Sequence, residues 1–122
     1  MIFTFYSFKG GVGRSMAVAN VGEELYRRGL KVLLVDFDLE APGLERFFDA
    51  PADILAQRGV IDMVLSYKAL RAMPGMDSAA VEKLTHSRFR FPVEPLASFI
   101  KPIYEENEKG GALYLIPAGR AQ

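Results

Sequence analysis

Between Lys9 and Ser15 the chain reads KGGVGRS: three glycines, two cations and a hydroxyl in one short run. Glycine reaches backbone angles closed to other residues and lets the main chain approach a ligand closely. Main-chain N–H groups freed by such a turn, with the positive end of a helix behind them, form a cradle for anions. Lys9 and Arg14 add charge of the matching sign. Arginine can grip a phosphate with two parallel hydrogen bonds. Ser15, on the first helical turn, can offer its hydroxyl to a Mg²⁺ held between phosphates. Further along, Asp36 and Asp38 end an apolar run, the place where acids meet ligands in open α/β sheets. Glu40 shares their face if the segment stays extended.

A second phosphate pattern competes for the same glycines. Dinucleotide-binding folds use G-x-G-x-x-G with an acid about 20 residues on. Gly11, Gly13 and Asp36 fit it, but the third glycine falls on Met16, which would crowd the helix–strand contact. That reading also leaves Arg14 and Ser15 idle. It stands as a second alternative, a dinucleotide-binding Rossmann domain.

The elements that must position these groups are legible as patterns. Ile2 to Phe8 is apolar, aromatic and closed by glycines, which predicts a strand buried on both faces. Val18, Val21 and Leu25 recur at helical spacing, so Ser15 to Arg28 reads as a helix. Gly29 falls where its C-terminal cap belongs. Lys31 to Asp36 is a second apolar run and predicts a second buried strand. Strand, helix and strand make one βαβ unit with parallel strands and a right-handed crossover.

Downstream, Ala41 to Phe48 predicts a short helix. Residues 60–107 read as largely helical: Val60 to Leu70, then Ser78 to Thr85 with Ser78 as cap. Val93 to Asn107 is amphipathic, bent or broken near Pro102. Gly110-Gly111 breaks the chain, and Ala112 to Pro117 predicts a third strand. The fold expected is α/β, a three-layer α/β/α sandwich with a mainly parallel sheet. Three strands are few for such a sheet, so the expectation is the N-terminal portion of one larger domain.

The chain has 122 residues, 50% hydrophobic and 25% charged, the balance of one soluble domain. Fifteen basic and 15 acidic residues cancel. This gives no global pull toward nucleic acid or an anionic membrane. Ser87 to Pro92, SRFRFP, alternates Arg and Phe and reads as a half-buried extended segment rather than a base-stacking surface. Without cysteine, disulfides and thiolate chemistry are excluded. The lone His86 has no companion at metal-ligand spacing. No apolar run reaches membrane-spanning length, and a cytoplasmic location is expected.

The loop departs from the general phosphate loop G-x-x-x-x-G-K-[ST] at Phe8 and Arg14. It resembles the deviant Walker A loop K-G-G-x-G-K-[ST] of the ParA/MinD-like P-loop ATPases. AVANVGEELYRRGLKVLLVDFDLEAPGL resembles that family's first helix, second strand and D-x-D segment. GVIDMVL and GALYLIPAGR resemble later elements. The resemblance is specific over residues 1–48 and 111–120.

The resemblance implies a switch that binds ATP or ADP with Mg²⁺ and forms a nucleotide-dependent homodimer. Lys9, Gly10, Gly11, Val12, Gly13, Arg14, Ser15 and Met16 would bind nucleotide. Ser15 and Asp36 would serve the metal, Asp36 through water. Lys9, Arg14 and Asp38 would be catalytic, with Asp38 orienting the attacking water. Adenine is implied by resemblance alone. The family's Walker B strand would lie beyond Gln122, with further domains or partners, so this stretch by itself is expected to be inactive. Arg14 replaces the loop lysine. Phosphoryl transfer depends on positioning, and a misplacement near 1 Å can cost about 100-fold. Slow or partner-dependent hydrolysis is therefore expected. The alternative is a non-hydrolysing nucleotide-sensing module of a multidomain bacterial regulatory or defence protein.

Overall fold

The computed structural model describes residues 1–50, 53, 58–80, 83 and 96–119. In chain order these hold helix α1 (Arg14–Arg27), strand β1 (Lys31–Val35), a 3-10 turn (Leu44–Phe47) and helix α2 (Val60–Arg71). A second 3-10 turn (Leu96–Phe99), strand β2 (Lys101–Tyr104) and strand β3 (Ala112–Ile116) follow.

The sheet order is β1-β3-β2. β1 and β3 pair in parallel, from Lys31 opposite Ala112 to Val35 opposite Ile116. β2 runs antiparallel to β3, with an irregularity between Pro102 and Tyr104. The sheet of the described residues is thus mixed. β3 is apolar throughout because both of its faces are covered. Leu113 and Leu115 join Ala19, Leu34, Leu44 and Phe48 in one cluster under α1. Ile116 points the other way, to Val60 and Phe99.

Gly22 lets α1 lie close on β1: a Cβ there would sit 2.8 Å from Leu34 Cδ2. The helix ends as its sequence predicts. Gly29 takes φ 92, and its N–H donates to the Tyr26 carbonyl at 2.9 Å. Asn107 closes the same end from afar, its Nδ2 donating to that carbonyl at 2.9 Å. α2 starts against the end of β3. Its Val60 and Ile61 N–H groups donate to the Pro117 and Ala118 carbonyls, each at 2.9 Å.

Five expectations are corrected. Ile2 to Phe8 forms no strand and is not buried: Ile2 is 93% and Phe8 95% exposed. An apolar run becomes a strand only where a neighbour takes its N–H and C=O groups, and no described strand lies beside it. β1 is buried on one face, at Leu34, while Leu33 and Val35 are exposed. The stretch at 96–107 is a 3-10 turn and a strand in place of a bent helix. Pro102 breaks a helix, yet an edge strand tolerates it. Asp77, ahead of Ser78, caps the helical residues 78–80 through Oδ1, 2.8 Å from the Ala80 nitrogen. Ser78 Oγ instead accepts from Arg71 Nη1 at 3.1 Å. The predicted helix at 41–48 shrinks to the turn at Leu44–Phe47. His86 and the SRFRFP stretch lie outside the described residues.

Candidate functional site

The run from Phe8 to Gly13 is a turn that delivers the chain into α1. Gly11 has φ 73 and Gly13 φ 79. Both need glycine, since a side chain resists the left-handed region. Gly13 is the N-cap of α1, which has no side-chain cap and no acid in its first turn. The positive end of the helix is therefore uncompensated by its own residues. A Cβ added at Gly10, Gly11 or Gly13 would meet nothing within 4 Å. Among the described residues, the N–H groups of Gly10, Gly11 and Val12 have no hydrogen-bond partner. The loop stands open with donors to spare.

The side chains divide. Lys9 is exposed and has no ion-pair partner among the described residues. Val12 and Met16 are exposed, at 58% and 54%, and Ser15 is half-buried. Arg14 is engaged. Its Nη2 donates to Asp38 Oδ2 at 2.7 Å, and its Nη1 to Ser7 Oγ at 3.1 Å. Ser7 Oγ in turn donates to the Lys9 carbonyl at 2.9 Å.

Asp36 lies beneath, 6% exposed. Its Oδ1 accepts the Asp38 N–H at 3.0 Å. Its Oδ2 accepts the N–H groups of Gly43 and Leu44, each at 3.2 Å. Asp38 Oδ1 accepts the Ala41 N–H at 3.0 Å. The two acids therefore shape the turn that follows β1. That turn bends early, where the Leu39 N–H donates to the Phe37 carbonyl at 3.0 Å. The segment is not extended, and Glu40 is exposed instead of sharing the acids' face.

The structure brings the loop, Arg14 and Asp38 together, with Asp36 as the support of Asp38. Ser7 escaped the sequence reading. Its signal was present: it is the polar residue that interrupts IFTFYSF just before the glycines.

A family profile, the CobQ/CobB/MinD/ParA nucleotide-binding domain, matches residues 3–101. The chain belongs to this ParA/MinD-like family. A stretch of 40 residues is 45% identical to a probable plasmid-partitioning protein ParA of Thermus thermophilus. That stretch is 33% of this chain and 12% of the relative. No solved structure matches significantly. Among the described residues, no helix is long and apolar enough to cross a membrane.

Mg²⁺ is the metal that the resemblance implies for this ParA/MinD-like loop. Among the described residues, no three acidic or histidine side chains cluster around a common point. Mg²⁺ usually takes one or two protein ligands and completes its shell with water and phosphate. Among the described residues, the half-buried Ser15 hydroxyl has no hydrogen-bond partner. A carboxylate has about four acceptor positions, and Asp36 commits three to main-chain donors. One remains on Oδ1, enough for a contact through water.

Proposed function

We propose that this ParA/MinD-like domain binds ATP with Mg²⁺ on the 9–16 loop and hydrolyses it slowly or only with a partner's help. The observation that carries this reading is the open glycine loop, with the N–H groups of Gly10, Gly11 and Val12 unpartnered among the described residues. Those donors, Lys9 and the start of α1 would hold the phosphates. The Ser15 hydroxyl would hold the metal, and Asp36 would reach it through water. Asp38 would orient the attacking water. The metal, when bound, neutralises charge on the outer phosphates. The exposed Lys9 is suited to reach a second protomer, so the switch would act as a nucleotide-dependent homodimer in the cytoplasm. The full domain would be the three-layer sandwich, its parallel sheet continuing from the open edge of β1.

A second reading has a specific observation behind it. Asp38 is paired with Arg14 at 2.7 Å, which removes the acid expected to act on water. That favours a module that senses nucleotide without turnover.

Calorimetric titration of ATP and ADP, with and without Mg²⁺, tests the proposal on this chain and on a longer one. Binding that strengthens with Mg²⁺ is expected. No heat from either protein would end the reading. Phosphate release from the longer protein then separates slow hydrolysis from none.

A further inference from the structure

Arg14 spans three segments. Its Nη1 reaches Ser7, ahead of the loop, and its Nη2 reaches Asp38, in the turn after β1. Its own backbone opens α1. The arginine and aspartate side chains are only 30% and 25% exposed, so solvent and salt screen the pair less than they would on an open surface. Both anchors are themselves fixed. Ser7 Oγ is turned toward the Lys9 carbonyl. Asp38 is held by its Oδ1 bond to the Ala41 N–H and by its own N–H on Asp36. Lysine offers one nitrogen on a flexible stem. Arginine offers a planar fork with separate nitrogens for separate anchors.

We infer that Arg14 is a resting clamp: with no ligand its fork ties Ser7 to Asp38, and a polyphosphate must displace Asp38 from Nη2 to gain the guanidinium. The inference rests on the polyphosphate reading above and adds regulation to that site. The clamp lowers apparent affinity, because only the released fraction of the protein offers Arg14 to the ligand. It also couples two events. The same exchange that places Arg14 on phosphate frees the Asp38 Oδ2 for water. The acid is thus withheld until the loop is filled.

The test is a double-mutant cycle read by calorimetry, with ATP–Mg²⁺ and tripolyphosphate as separate probes. Wild type, Asp38→Asn, Arg14→Ala and the double variant are titrated after thermal unfolding shows that each is folded. Asp38→Asn should tighten binding roughly tenfold in the wild-type background and have no effect in Arg14→Ala, a coupling of the size two contacting residues show. Ser7→Ala, which removes the other arm, should tighten binding roughly threefold, within the same range. An equal gain in both backgrounds would mean simple charge repulsion by Asp38 and would overturn the clamp. So would no gain in Asp38→Asn. In either case measurable wild-type binding leaves the polyphosphate reading standing. No binding by any variant would remove both.

Discussion

Asp36 Oδ2 accepts the Leu44 N–H at 3.2 Å, so the carboxylate that ends β1 also starts the turn eight residues on. With Gly43 on the same oxygen and Asp38 on the other, three main-chain donors converge on one side chain that is 6% exposed. A buried donor left without a partner costs about 1–3 kcal/mol. Asp36→Ala should therefore destabilise the protein by roughly 3 kcal/mol or more, summed over the donors it strands. Asp36→Asn should cost less, about 1–2 kcal/mol, because its amide turns a donor toward one of the three. Urea unfolding measures both. Wild-type stability in Asp36→Asn would show that the charge at this position has no structural work.

Gly10 separates the site from the fold. It lacks a positive φ, and a Cβ there meets nothing within 4 Å. Gly10→Ala should leave stability within about 0.5 kcal/mol of wild type. The added methyl would still stand where phosphate oxygens approach the main chain. ATP affinity should fall about tenfold or more, one or two hydrogen bonds' worth at a charged ligand. The same titration used for wild type reads it. Unchanged affinity would move the phosphates off this part of the loop.

Gly111 is the opposite case. A Cβ there would lie 2.1 Å from the Tyr26 carbonyl oxygen and 3.0 Å from Gly29 Cα. Both are backbone and cannot step aside. Gly111→Ala should cost about 3 kcal/mol, at the upper end for overpacking. Asn107→Ala should cost about 2 kcal/mol. Its side chain donates to the Tyr26 carbonyl and accepts from the N–H groups of Lys109 and Gly111. Chemical denaturation of each variant checks the order. Tolerance of alanine at position 111 would mean that α1 and the start of β3 lie farther apart than these distances.

What was legible in the sequence was local. Gly11, Gly13 and Gly29 announce left-handed turns, and the spacing of Val18, Val21 and Leu25 announces α1. The runs at Lys31 and Ala112 announce β1 and β3. What was hidden depends on partners far along the chain. Leu33 and Val35 read as core, yet they are exposed, and the face toward α1 carries Leu34 with the half-buried Val32. β2 was hidden because its signal is its pairing with β3 across a turn, while Pro102 argues locally for a broken helix. Gly110-Gly111 read as a break, although Gly111 is needed for a close approach to a carbonyl 85 positions earlier in the numbering. At the site, the residue types were readable and the pairing was not. Nothing in the sequence shows that Arg14 and Asp38 meet, or that Asp36 spends its oxygens on its own chain.

Tyr104 gives the fold a pH signature. Its ring lies 5.1 Å from that of Tyr26 and 6.0 Å from that of Phe48, which links β2 to α1 and to the end of the Leu44 turn. Burial, followed by the negative charges of Glu23 and Asp49, raises its phenol above the ordinary 10.0. The unfolded chain thus gives up this proton at a lower pH than the folded one. The contribution of the neutral phenol is whole below pH 10 and is lost as pH climbs from there toward the folded value. Tyr104→Phe cannot ionise and should remove that part of the alkaline decline. Urea midpoints for the two proteins should run parallel below pH 10, and above it the wild-type midpoint should fall relative to that of the variant. Parallel curves throughout would mean that the Tyr104 phenol titrates in the folded protein as it does in the unfolded chain, and that β2 packs against α1 more loosely than the ring contacts imply.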